Sequence, residues 1–166
     1  MDRPTPRLLG LVALGVALGG ALGSVGRYAV ETLLPFAPHA PVTGVSEAPA
    51  TGAPVTGFPW ATLLVNVSGA LLMGVLVAWL TAHPSAPAWA RPFAAVGLLG
   101  GWTTYSTFAA ETEELWSAGA PGASTAYVLA SVGCGLLAVV AGALVGQWIW
   151  PADRAEIDAE EVTEGA

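Results

Sequence analysis

Long apolar segments alternate with short polar ones along this chain, and charged residues are absent from four stretches. The uncharged stretches cover residues 8–26, 48–90, 92–110 and 115–152. A helix of about 20 apolar residues crosses the roughly 30 Å hydrocarbon core of a bilayer. The pattern therefore predicts an all-α protein of the lipid bilayer, with transmembrane helices at residues 8–30, 60–82, 92–113 and 124–150.

Three segments flank or interrupt this predicted four-span domain of residues 8–150. We expect a short N-terminal tail at 1–7, a flexible linker rich in Pro, Thr, Gly and Ala at 36–58, and an acidic disordered tail at 151–166. The first span can alternatively be read as a signal peptide, because arginines precede it. Its apolar run is longer than a signal core of about 7–15 residues, which favours a transmembrane helix.

Composition excludes several classes of function. Only 10% of the 166 residues are charged, against about 25% in soluble domains. The absence of lysine and the single cysteine exclude a P-loop, lysine Schiff-base chemistry and cysteine-based metal sites. The net charge of −7 argues against nucleic-acid binding. No predicted span contains a histidine, and of the carboxylates Glu111, Glu113 and Glu114 at the end of span three at most Glu111 faces inward, so we do not expect an enzyme.

The first two spans carry polar side chains that need partners in lipid. In span one, Arg27 continues a four-residue repeat of Gly15, Gly19 and Gly23, which predicts close helix packing. Arg27 is either an arginine that reaches the headgroups or a fixed charge at the mouth of an anion path. Asn66 in span two is either an interhelical hydrogen-bond partner or a donor in a pore.

The third span contains the strongest signal, a glycine pair at Gly100 and Gly101 followed by hydroxyl residues. Such residues weaken helical backbone bonding, so a break near mid-membrane is predicted. The carbonyl oxygens freed by a break would suit a hard cation. Beyond the break, Tyr105 and Phe108 share a helix face, either as core packing or as ring edges that contact an anion.

Neutral hydrogen-bond donors recur through the last three spans. They are Asn66, Thr104, Ser106, Thr107 and Ser131, and Tyr127 lies one turn before Ser131 on a weakly polar face of span four. A path for a strongly hydrated anion must replace the ion's waters with donors, and neutral donors bind weakly enough to release it.

Three sequence motifs resemble the CrcB/Fluc fluoride channel family. They are Gly19-Gly-x-x-Gly23-x-x-x-Arg27-Tyr28, Thr62-Leu-x-Val-Asn66-x-x-Gly69 and Gly100-Gly-x-Thr103-Thr-Tyr-Ser-Thr-Phe108. The resemblance covers all four spans. It implies a small subunit that pairs antiparallel with a second subunit, two fluoride paths and a structural sodium ion at the dimer centre. It also implies passive export of cytoplasmic fluoride across the bacterial cell membrane, which lowers fluoride toxicity.

The resemblance also implies roles for individual residues. Asn66 matches the family's pore asparagine, Arg27 its first-helix arginine, and Phe108 the second of its pore aromatics. Gly100 and Thr103 match the residues whose main-chain oxygens hold sodium.

This chain also departs from the family pattern. Tyr105 stands where the family usually has Phe, and Ala61 replaces a glycine. The linker at 36–58 is longer than expected, and Tyr127 and Ser131 match only loosely.

Two other functions and two modes of assembly stay open. A small proton-coupled exporter needs a titratable carboxylate inside a span, whereas Glu31 stands at the very end of span one, and a non-transporting scaffold would not explain the break. The count of basic residues on each predicted side of the membrane favours an orientation with both termini in the cytoplasm. The residues on the favoured side are Arg3, Arg7, Arg91 and Arg154, against Arg27 alone on the other. A dual-topology homodimer and a heterodimer with a related subunit are both compatible with this count.

Overall fold

The computed structural model describes residues 6–36 and 57–151, and the regular structure within these ranges is entirely helical. Except at their ends, the predicted linker and both predicted tails lie outside the described residues. Five helices follow one another, with α3 being a π-helix that continues into one α-helical turn. They are α1 (Pro6–Leu33), α2 (Trp60–Ala82), α3 (Pro92–Leu99 and Gly100–Trp102), α4 (Tyr105–Ser117) and α5 (Pro121–Ile149).

The predicted spans correspond closely to these helices. By length and composition, α1, α2 and α5 can each cross a membrane, and their ends lie within three residues of the predicted ones. The remaining predicted span, 92–113, consists of α3 and α4, which meet at a break. The prediction of an all-α, four-span architecture with a break in the third span is confirmed.

The helices pack chiefly in two pairs, α1 with α3 and α2 with α5. Glycines let the backbones approach, because a Cβ added at Gly19 would lie 2.8 Å from the Leu98 amide nitrogen. A Cβ at Gly74 would likewise lie 2.7 Å from the Ala143 nitrogen. Side chains do not tolerate such distances, so both interfaces require glycine at these positions. The glycine face predicted on span one is the α1–α3 interface.

The outer surfaces of α1 and α5 are rich in exposed leucine. Leu18, Leu22 and Leu137 are more than half exposed. An apolar surface of this extent is unfavourable in water, whereas lipid tails are as apolar as leucine. The described part of the chain therefore has the surface of a multi-pass membrane protein.

The first part of α3 differs from the sequence-based expectation, because Pro92–Leu99 is a π-helix. At its end, the Gly100 amide donates to the carbonyl of Ala95, five residues earlier. Single π-turns are rare and often occur near functional sites. Hydropathy did not predict this segment, since a wider helical turn uses the same apolar residue types.

Candidate functional site

The third span is interrupted by two residues with extended backbone. Thr103 (φ −82°, ψ 159°) and Thr104 (φ −147°, ψ 126°) separate α3 from α4. The Thr104 hydroxyl caps α4 by accepting a hydrogen bond from the Thr107 amide at 3.2 Å. The break follows the glycine pair Gly100 and Gly101 rather than falling on it, because both glycines are helical.

Asn66 of α2 bridges the break with its carboxamide. Its Oδ1 accepts a hydrogen bond from the Thr104 amide at 2.8 Å, and its Nδ2 donates to the Thr104 carbonyl at 3.0 Å. These bonds satisfy backbone groups that lipid could not satisfy. The interhelical interpretation of Asn66 is therefore confirmed. Its Nδ2 carries a second N–H that these two bonds do not use.

The break separates the carbonyls of residues 100–103 from the amides that they would meet in a continuous α-helix, where residue i+4 donates to residue i. Two of these amides donate to side-chain oxygens instead. The Thr104 amide, the regular partner of Gly100 O, donates to Asn66 Oδ1 instead. The Thr107 amide, the regular partner of Thr103 O, donates to the Thr104 hydroxyl. The amides captured by side-chain oxygens are thus the regular partners of Gly100 O and Thr103 O, the two carbonyls that the family resemblance assigns to sodium.

Two more side chains hold the C-terminal end of α3. Arg27 Nε donates to Gly101 O at 3.2 Å, while Arg27 Nη1 lies 3.0 Å from Glu31 Oε1. Trp102 Nε1 donates to Ser68 Oγ at 2.9 Å. Arg27 therefore points into protein, toward the helix break. Each of Gly101, Trp102 and Thr104 has a partner on α1 or α2.

A cavity of about 550 Å³ adjoins the break and opens at the surface of the subunit. The described residues that line it include no charged side chain. The rings of Tyr105 and Phe108 lie on its wall, with centroids 6.0 Å apart. Ser131 also lines it, and its hydroxyl oxygen is buried without a hydrogen-bond partner among the described residues. The cavity therefore combines aromatic rings with a buried serine hydroxyl group.

A buried carboxylate lies beside this cavity. Glu111 is 7% exposed and accepts hydrogen bonds from the Thr62 hydroxyl at 2.9 Å and from the Tyr127 hydroxyl at 2.7 Å. The Tyr127 ring lies 5.3 Å from that of Phe108 on the cavity wall. The expectation that, of the carboxylates at the end of span three, at most Glu111 faces inward is confirmed, because Glu113 and Glu114 are exposed.

The structure divides the sequence-predicted residues into two groups. The cavity brings together Asn66, Gly100, Thr103, Thr104, Tyr105, Phe108 and Ser131. The residues outside its described lining are Arg27, Ser106, Thr107 and Tyr127. Ser106 and Thr107 lie in the first turn of α4, where both hydroxyl groups meet that of Thr104.

Sequence reasoning missed the role of Thr62 and underestimated that of Glu111. A signal was present in the spacing, because Thr62 lies one helical turn before Asn66 and Glu111 lies one turn after Phe108. Each polar residue therefore shares a helix face with a residue that was selected. The hydrogen bond between the two elements could not be read from the sequence.

Comparison with known proteins places this arrangement in a family. The fluoride-specific ion channel FluC of Paracoccus denitrificans is 43% identical over 137 residues, which cover 82% of this chain and 95% of the relative. The FluC of Chelativorans sp. is 40% identical, covering 81% and 91%. The fluoride-specific ion channel FluC 2 of Nocardia farcinica is 35% identical, covering 90% and 94%. Residues 14–143 match the model of the "CrcB-like protein, Camphor Resistance (CrcB)" family, and the chain belongs to this family.

Proposed function

We propose that this chain forms a passive, fluoride-selective channel that exports cytoplasmic fluoride across the cell membrane and so lowers its toxicity. The observation that carries the proposal is the cavity beside the break, whose described lining offers neutral donors and aromatic rings and no charged group. The names of the three relatives, all fluoride-specific ion channels, support the same ion.

The cavity has groups suited to an anion that has lost its waters. Transferring an unpaired ion into a low-dielectric medium costs tens of kcal/mol by Born arguments, so donors must replace the water. The Ser131 hydroxyl has no other partner among the described residues, and Asn66 Nδ2 retains one N–H. The ring edges of Tyr105 and Phe108 are electropositive. Neutral donors of this kind favour release as well as binding, which conduction requires.

We further propose that a second subunit, inserted antiparallel, completes the path. The cavity opens at the subunit surface, and Tyr105 at its wall is 80% exposed. A covering subunit would bury this ring together with the apolar lining residues Met73, Val132 and Val139. Either a second copy of this chain or a related chain of opposite orientation would supply the covering surface.

The third element of the proposal is a structural sodium ion bound by the main-chain oxygens of Gly100 and Thr103. Support comes from the diverted amides of Thr104 and Thr107, which donate to side-chain oxygens instead of to these carbonyls. Hard cations prefer oxygen ligands, and two antiparallel subunits would supply four. Asn66 and the Thr104 hydroxyl would maintain the site by holding the two amides away from it.

One observation favours a second candidate, a proton-coupled exporter. Glu111 is a buried carboxylate between hydroxyl groups of α2 and α5, and ionisable residues inside membranes often belong to proton pathways. The cavity favours a channel more directly, because its described lining contains no titratable side chain other than the Tyr105 phenol.

Fluoride efflux from proteoliposomes distinguishes these candidates. Vesicles loaded with potassium fluoride are diluted into fluoride-free buffer, valinomycin is added, and external fluoride is followed with an electrode. A passive channel releases fluoride as soon as valinomycin balances its charge, at the same rate with and without an imposed pH gradient. An exporter would require the gradient and would lose that dependence in Glu111→Gln, and a scaffold would release nothing.

A further inference from the structure

We propose that Arg27 is a positioning residue that selects which main-chain oxygens of the helix break are free to bind a cation. The inference rests on the sodium site proposed above and assigns to it a residue of α1. Arg27 lies outside the described cavity lining, so it would act through the backbone and not by touching the permeating ion.

The break also leaves the carbonyls of Gly101 and Trp102 without their regular donors, the amides of Tyr105 and Ser106. In a continuous helix, Gly101 O would receive the Tyr105 amide, but the extended residues Thr103 and Thr104 displace that amide into α4. Arg27 Nε donates to Gly101 O instead, at 3.2 Å. The guanidinium thus replaces a missing backbone donor at one carbonyl.

The selection follows from comparing this carbonyl with its neighbours. The amides that would donate to Gly100 O and Thr103 O donate instead to oxygens of Asn66 and Thr104. Among the described residues, no side chain donates to these two carbonyls in their place. Gly101 O lies between the two and is engaged by a charged donor, which makes a stronger bond than a neutral one. Arg27 therefore withdraws the oxygen of Gly101 from a cation at the break, while those of Gly100 and Thr103 stay available.

The position of Arg27 is fixed from two directions. Glu31, one turn later on α1, holds Nη1 at 3.0 Å in a half-buried ion pair. Gly23, one turn earlier, packs against the α3 backbone, where an added Cβ would lie 2.8 Å from the Trp102 nitrogen. The carboxylate also compensates the guanidinium charge, which would otherwise repel a cation bound nearby.

Removing the donor should weaken cation binding. In Arg27→Met, Gly101 O has no donor in apolar surroundings, so the backbone must turn to find one, and the neighbouring oxygens lose their orientation. Loss of a hydrogen bond to a charged group changes an equilibrium by about tenfold or more. Arg27→Gln keeps an N–H donor without the charge and should restore much of the effect, whereas a charge effect alone would make the two variants alike.

The test titrates purified, detergent-solubilised full-length protein with sodium chloride at constant ionic strength, using N-methylglucamine as the replacement cation. The midpoint of thermal unfolding reports binding, because a ligand that binds the folded state raises it. We expect the sodium concentration for half-maximal stabilisation to rise about tenfold or more in Arg27→Met and less in Arg27→Gln. Arg91→Met, which removes an exposed arginine at the far end of α3, is the matched control and should bind like wild type.

Amide hydrogen exchange over residues 99–108 provides a second readout, and we expect faster exchange in Arg27→Met than in Arg91→Met. A sodium titration of Arg27→Met that matches wild type overturns the inference. A shift in Arg27→Gln as large as that in Arg27→Met also overturns it. Wild-type protein that does not respond to sodium overturns the inference together with the sodium site, while fluoride efflux by the same preparation would leave the channel proposal standing. Loss of fluoride efflux with an intact sodium response would contradict the channel proposal and leave the sodium site and the inference standing.

Discussion

Replacing Asn66 with aspartate changes the cavity wall by a single charged group. The substituted carboxylate can still accept the hydrogen bond from the Thr104 amide, which Oδ1 accepts at 2.8 Å. Its second oxygen, however, would face the Thr104 carbonyl in place of the donor that now lies 3.0 Å away. Asn66→Asp therefore keeps one half of the bridge, reverses the other and places a negative charge beside the proposed anion path.

Two penalties follow from this geometry. Two like charges 4 Å apart repel by about 4 kcal/mol at an effective dielectric constant near 20. At about 1.4 kcal/mol per factor of ten, this repulsion alone lowers the occupancy of fluoride next to residue 66 by roughly three orders of magnitude. The lost bond to the Thr104 carbonyl costs about 1 kcal/mol of folding stability, which a stable bundle tolerates. Flux should therefore fall far more than the amount of folded protein.

The assay is fluoride efflux from proteoliposomes, normalised to folded protein by size-exclusion chromatography. Gln147→Glu is the matched control, because it makes the same amide-to-carboxylate change at an exposed position of α5 and should conduct like wild type. Fluoride efflux by Asn66→Asp at the wild-type rate would refute the placement of Asn66 on the ion path.

Four other predictions test separate parts of the account. Phe108→Ile, which removes a ring from the cavity wall, should sharply reduce fluoride efflux while leaving the size-exclusion profile unchanged. Glu111→Leu deprives the hydroxyls of Thr62 and Tyr127 of their acceptor, at about 1–3 kcal/mol for each buried group, so its thermal unfolding midpoint should lie below that of Glu111→Gln. Gly142→Leu should lower the unfolding midpoint by more than Gly133→Leu, because an added Cβ would lie 3.1 Å from the Val75 nitrogen at Gly142 and in open space at Gly133. Reporters fused to the C-terminus, one active only in the cytoplasm and one only outside, should both give signal for a dual-topology homodimer, whereas signal from the inner reporter alone would indicate a fixed orientation.

Much of the fold was predictable because lipid imposes simple requirements. Uncharged stretches of sufficient length located α1, α2 and α5, and the four-residue glycine repeat ending at Gly23 identified the face of α1 that packs on α3. The break in the third span was also predictable, since glycine and hydroxyl residues weaken helical bonding. Its location at Thr103 and Thr104 depends on Asn66, which lies on another helix.

The parts that sequence reasoning missed depend on contacts between helices. Glu111 was placed near the end of a span, whereas in the structure it bonds to Thr62 and Tyr127, residues 49 and 16 positions away. The orientation of Arg27 toward Gly101, 74 positions along the chain, likewise follows from the packing of α1 on α3. Periodicity assigns a residue to a helix face, but the partner opposite that face is set by the tertiary arrangement.

The central claim, passive conduction of fluoride, is tested most directly by the zero-current potential of the reconstituted protein in a planar bilayer. Across a tenfold fluoride gradient, with impermeant counter-ions and equal pH on both sides, a fluoride-selective channel reverses at about 59 mV, the value for one charge per ion. The account predicts this potential and predicts no change when a tenfold proton gradient is added. A zero-current potential that moves with the proton gradient, or fluoride efflux from vesicles with no accompanying current, would contradict it.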